Sequence, residues 1–126
     1  MAHVADVILS LHADTAEEVF IEAARAVARW GRGRTEGDLA DVTVRLEAPD
    51  RATLLADWIN ELLGLSEIQC AAFACVEAVL VGSTLTARLR GARIAAWRCP
   101  WKAATYHDLR LERRRGRWRA RVLCDT

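Results

Sequence analysis

At 126 residues the chain is long enough to bury one hydrophobic core and reads as a single domain spanning 1–126. A hydrophobic share of 52% and a charged share of 28% exclude a disordered or fibrous chain. A net charge of +1 excludes a general electrostatic attraction to nucleic acid or membrane, so any such attraction must be local. No apolar run approaches the roughly 20 residues of a membrane span, and no signal-peptide pattern opens the chain. The four cysteines, Cys70, Cys75, Cys99 and Cys124, form neither a C-x-x-C pair nor a zinc pattern with the histidines. They are expected as reduced thiols in a cytoplasmic protein, three of them in apolar runs.

Residues 4–12 predict a strand, with Val7, Leu9 and Leu11 on one face and Asp6, Ile8, Ser10 and His12 on the other. A helix should follow, capped by Asp14 with Glu17 three residues on. Its stripe is Val19, Phe20, Ala23, Ala24 and Val27, ending near Trp30. Gly31 to Asp38 reads as a Gly/Arg loop. Asp41 to Glu47 alternates, with Val42, Val44 and Leu46 on one face of a half-buried strand. Asp50 then caps a second helix whose buried stripe is Leu55, Trp58, Ile59, Leu62 and Leu63, with Gly64 placed to end it.

The rest reads as β. Strands 72–81 and 84–90 meet at a Gly82-Ser83 turn, and 91–100 reads as irregular or as a poor strand. Strands 102–113 and 117–125 meet at Arg115-Gly116, with Leu109, Leu111, Trp118, Ala120, Val122 and Cys124 facing inward. The order β-α-β-α-β-β-β-β suits two helices packed on one face of a mixed β-sheet, an α+β two-layer sandwich.

No phosphate loop, metalloprotease helix or nucleophile elbow is present, and no histidine has triad partners. Two polar strand faces are more informative. Asp6 lies on one, and Arg117, Arg119, Arg121, Leu123 and Asp125 share the other. Asp125 with the carboxylate following Thr126 offers two hard oxygen donors, and Asp6 adds a third if the first and last strands meet. Such donors suit Ca2+, Mg2+ or Mn2+. A solvated penultimate residue is the alternative. The basic run from Arg110 to Arg121, with Arg113, Arg114 and Arg115 at its turn, could contact RNA phosphates or an acidic partner. Otherwise its arginines guard an exposed strand edge.

Three stretches resemble archease motifs in order and spacing over nearly the whole chain. HVAD, His3 to Asp6, with the helix start DTAEEVF, is similar to the family's H-T-A-D opening and T-x-E-E-x-F. LLADWINELL, Leu54 to Leu63, resembles L-L-x-x-W-L-N-E-L-L. KAATYHDLRLERRRGRWRARVLCDT resembles the K-A-V-T-Y-H hairpin and terminal aspartate. The resemblance implies a non-enzymatic activator of an RtcB-type RNA ligase. It would promote ligase guanylylation and multiple turnover in tRNA splicing or RNA repair. The resemblance also implies a divalent-metal site of Asp6, Asp125 and Thr126, with Ca2+ as the first choice and Mg2+ or Mn2+ as alternatives. Lys102 and His3 would contact the partner or its nucleotide. An RNA-binding adaptor using hairpin 110–121 is the competing reading. The chain departs from the family at Val4, where the motif has threonine, at Thr126, where isoleucine is common, and in the short WRCPW segment before Lys102.

Overall fold

The computed structural model describes residues 6–126. Its elements are β1 (Val7–Ala13), α1 (Ala16–Ala28), β2 (Gly31–Glu47), α2 (Arg51–Gln69), β3 (Ala71–Val81), β4 (Thr84–Trp97), β5 (Ala103–Ala104), β6 (Arg110–Arg114) and β7 (Arg117–Asp125). The α+β class, the two helices and the element order follow the sequence reading. The sheet itself is divided in two, and every pairing is antiparallel. One sheet runs β1-β7-β5, with β6 also on β7; the other runs β2-β4-β3.

α1 is amphipathic, α2 is enclosed on most sides, and both cover the inner faces of the sheets. Val19, Phe20, Ala23 and Val27 of α1 are buried, as are Leu54, Leu55, Trp58, Ile59 and Leu62 of α2. Trp58 is wholly buried, and its indole N–H donates to the Phe20 carbonyl at 2.8 Å, which ties the two helices together. Burying side chains of this size contributes about 1.5–3 kcal/mol each. From the sheets, Leu11, Ala120, Val122, Phe73, Leu85 and Leu89 close the core.

Several local expectations shift. Thr15, not Asp14, caps α1, its hydroxyl accepting from the Glu18 N–H at 3.1 Å. Glu17 instead accepts from the Leu80 N–H on β3 at 2.8 Å. Asp50 caps α2 as expected, accepting from the Thr53 N–H at 2.7 Å, which holds its carboxyl below the usual range. Gly64 does not end α2. The buried Leu63 and Ser66 carry the helix on to Gln69, and Cys70 ends it in the left-handed conformation.

The segment expected as a Gly/Arg loop is the first half of β2, and the segment expected as irregular or a poor strand is, up to Trp97, the second half of β4. They form a ribbon with register shifts between Arg32 and Thr35 and between Thr35 and Leu39. Gly33 and Gly37, both at positive φ, supply the backbone freedom these irregularities need. Much of the ribbon is exposed, so main-chain pairing holds it and no apolar alternation marks it. The expected strand 102–113 is split into β5 and β6 by a turn at His107-Asp108, where Asp108 takes a left-handed conformation. The turns at Gly82-Ser83 and Arg115-Gly116 fall where the sequence placed them, the latter with both residues at positive φ. Among the described residues no helix is long and apolar enough to cross a membrane.

Candidate functional site

β7 is the interior strand of its sheet. One edge carries β1; the other carries β6 along its first half and β5 along its second. The β1–β7 ladder ends with Val7 opposite Cys124, so Asp6 and Asp125 each lie one residue beyond its last pair, at the same end of the sheet. Residues facing across an antiparallel pair have Cα atoms about 5 Å apart and side chains on one side of the sheet. The inner row of β7 is Ala120, Val122 and Cys124, all buried, which leaves Asp125 on the outer face. Asp6 is exposed and Asp125 half-buried. Asp6 and Asp125 thus flank the last pair of the β1–β7 ladder, and Thr126 follows directly.

On the far edge, Ala103 lies opposite Asp125, and the Lys102 N–H donates to the Asp125 carbonyl at 2.7 Å. Lys102 is joined to Asp125 through the main chain and also lines a cleft of about 970 Å³. That cleft opens beside the second half of α2. Trp30, Trp97 and Trp101 supply its aromatic walls, with Asn60, Glu67 and Lys102 among its polar lining. The rings of Trp30 and Trp101 meet edge to face with centroids 6.0 Å apart. The Trp97 indole N–H is buried there with no acceptor among the described residues. The WRCPW segment therefore forms a wall of this cleft.

α2 sets the position of β5. The Asn60 amide donates to the Ala104 carbonyl at 3.1 Å and accepts the Ala104 N–H at 2.7 Å. It satisfies one donor and one acceptor of an edge strand, as a neighbouring strand would. Three residues earlier on the helix, Asp57 accepts from the Tyr106 hydroxyl, and that bond raises the Tyr106 pKa. On the other side, the Thr105 N–H and hydroxyl donate to the Leu123 carbonyl at 2.8 and 3.0 Å. The segment 102–106 is therefore clamped between α2 and β7. The sequence motif containing Asn60 was visible, but nothing in it assigned the amide this task.

Burial pushes the Cys124 thiol up to about 11, with Cys99 and Asp125 adding to the rise, and burial raises Cys99 as well. Cys70, Cys75, Cys99 and Cys124 are all free; Cys124 is buried, but Cys75 is exposed, against the expectation of a core position. Among the described residues no group of three or more His, Cys, Asp or Glu side chains gathers to hold a metal. His3 lies outside the described residues. At the hairpin, Arg113 stands opposite Trp118 on the row that leads to the core, Arg114 stands opposite Arg117 on the outer row, and Arg115 is in the turn.

The Archease protein family (MTH1598/TM1083) matches residues 1–126. The archease of Methanosarcina mazei is 31% identical over 140 residues, covering 99% of this chain and 92% of its own. That of Methanopyrus kandleri is 31% identical over 135 residues, covering 98% and 94%. In structure, Methanobacterium thermoautotrophicum protein 1598 matches with a TM-score of 0.70 at 27% identity, over 100% of this chain and 96% of that one. The Thermotoga maritima archease, described as a possible chaperone, shares the fold with a TM-score of 0.68 at 23% identity, over 100% and 94%. Matched from end to end by the family and by relatives of nearly its own length, the chain belongs to the archease family.

Proposed function

We propose that this protein is a non-catalytic activator of an RtcB-type RNA ligase, promoting its guanylylation and repeated turnover in tRNA splicing or RNA repair. The observation that supports the reading is the β1–β7 ladder, whose last pair, Val7 and Cys124, adjoins Asp6 and Asp125, in a chain of this family. The description of the Thermotoga maritima relative as a possible chaperone is a coarser version of the same idea: a protein that works on another protein.

The donor chemistry fits a hard divalent cation. Asp6 and Asp125 would supply carboxylate oxygens and Thr126 a further oxygen, a set that suits Ca2+, Mg2+ or Mn2+. Such an ion would bridge like charges and present a positive centre to a phosphate or carboxylate of the partner. The chain's own contribution is positional. β7 pairs Asp125 with Ala103 of β5, and Asn60 fixes β5, so Asp125 and Lys102 keep a set spacing. Activation in trans would follow if this surface binds the guanylylation-competent state of the ligase more tightly than its alternatives.

Single-turnover guanylylation of the ligase, with and without this protein, tests the reading. Asp6→Ala and Asp125→Ala should each abolish stimulation and weaken Ca2+ binding by calorimetry while the fold persists by circular dichroism. Full stimulation by a folded Asp125→Ala protein would sink the proposal.

A further inference from the structure

The two sheets treat their arginines differently. On the outer face of β2-β4-β3, Arg88 grips Asp41 through two bonds of 2.7 and 3.0 Å, Arg90 meets Glu77 at 3.1 Å, and Arg45 meets Glu47 at 2.6 Å. The charge there is neutralised within the protein. On the outer face of β1-β7-β6 it is not. Arg117, Arg119 and Arg121 alternate along β7, with Arg114, Glu112 and Arg110 opposite them on β6 and His12 and Ser10 on β1. All these residues are exposed. Five arginines thus share one face with a single acid on the paired rows. Only Arg117 of the five has an ion pair among the described residues, with Asp14 at 3.6 Å. The chain's net charge of +1 conceals this segregation.

Alternate residues on a strand are about 6.7 Å apart and neighbouring strands about 4.8 Å, so the guanidinium groups spring from a regular two-dimensional grid. Each is a planar fork suited to a phosphate. The grid carries no aromatic or aliphatic anchor, which a protein interface would need at its centre. Ile8 and Leu123 lie beyond it, toward Asp6 and Asp125. Repulsion among five fixed cations is best relieved by an evenly spaced polyanion.

We infer that the outer face of β1-β7-β6 is a docking surface for the RNA phosphate backbone, built from Arg110, Arg114, Arg117, Arg119 and Arg121. All five lie in the run from Arg110 to Arg121 singled out in the sequence, where Arg113, Arg114 and Arg115 at the turn were the named candidates. Of those three, only Arg114 belongs to the grid. Without a stacking platform, recognition is of the backbone and is indifferent to sequence. Arg121 and Asp125 are four residues apart on the same face, roughly 13 Å, so bound RNA would lie beside the acidic pair. RNA docking is independent of the ligase reading and is measured without any ligase.

Fluorescence anisotropy with a labelled 20-nucleotide single strand, and separately with an RNA duplex, tests the inference between 50 and 200 mM salt. Five phosphate contacts predict a log–log salt slope of about −3.5 for the single strand. Arg119→Gln/Arg121→Gln should weaken binding about tenfold at 50 mM and reduce the slope by about 1.4. Arg119→Lys/Arg121→Lys, which keeps the charge, should restore the slope. The charge-matched Arg45→Gln/Arg88→Gln in the other sheet should stay within about twofold of wild type. The inference is overturned if wild type binds neither RNA at 50 mM salt or if both Gln variants weaken binding equally. It is overturned also if polyglutamate binds as tightly as RNA, since the face would then serve an acidic protein.

Discussion

Asn60→Ala would remove both bonds that hold β5 to α2. Ala104 is 4% exposed, so its N–H and C=O would be left without water to replace the amide. A net loss of about 1 kcal/mol per bond, rising toward 1–3 for a stranded buried group, gives about 2–4 kcal/mol in all. For a domain of this size that lowers the melting temperature by roughly 10 °C. The urea midpoint should fall with an unchanged m-value, and the Ala104 amide should lose its hydrogen-exchange protection first. Asn60→Asp sharpens the test. Its carboxylate can accept the Ala104 N–H but opposes the Ala104 carbonyl, so at neutral pH it should be no better than alanine. Below the carboxyl's pKa the neutral acid can donate again, and stability relative to Asn60→Ala should recover. If Asn60→Ala stays within about 0.5 kcal/mol of wild type with Ala104 still protected, the amide does not hold the strand and the clamp is wrongly assigned.

Other perturbations separate the parts of the fold. Gly91→Ala would set a Cβ 2.0 Å from the Ala72 carbonyl oxygen and 2.8 Å from the Phe73 Cα, at the register shift between β3 and β4. Backbone cannot swing aside as a side chain can, so a loss of about 3 kcal/mol or more is expected in chemical denaturation. Thiol labelling should modify the exposed Cys75 first and the buried Cys124, whose thiol is pushed up to about 11, only as fast as the protein opens. Mass spectrometry of partly labelled protein reads the order. Asp41 and Asp50 are held below the ordinary 3.8 by bonds from Arg88 and Thr53. A depressed folded pKa gives stability that is present above pH 3.8 and lost as pH falls through the folded value. Asp50→Asn should therefore flatten the fall in the urea midpoint between pH 5 and 3.

The helices were legible because their stripes are long and both caps use ordinary chemistry, although the α1 cap moved by one residue. The Val42-Val44-Leu46 alternation was legible for the same reason: one face meets the core. The ribbon of Gly31 to Asp38 against Ala92 to Trp97 was not, because its β2 strand is exposed from Gly33 to Asp38 and its pairing is written in the main chain. Gly64 misled, since a helix ends where packing stops supporting it, and Leu63 and Ser66 are still buried there. For the site, the polar faces of β1 and β7 were visible, but their register depends on two distant strands meeting. Asn60 was silent because a polar residue in a helix declares nothing until its partner is known. The grid of arginines needed alternation to be combined with pairing, which moves emphasis from the turn to the strand faces.

The division of one edge of β7 between β6 and β5 has a consequence for the order of assembly. β6 and β7 are joined by two residues at Arg115-Gly116 and can pair as a local hairpin within microseconds. β5 adds only with α2 in place, and β1 must return from the far end of the sequence to meet the opposite edge. The arginine grid draws on the fast hairpin, whereas the approach of β1 to the far edge of β7 waits for the slowest closure. Pulse-labelling during refolding should accordingly protect hairpin amides well before those of β1, and the two ends of the chain would meet only once the whole topology is complete.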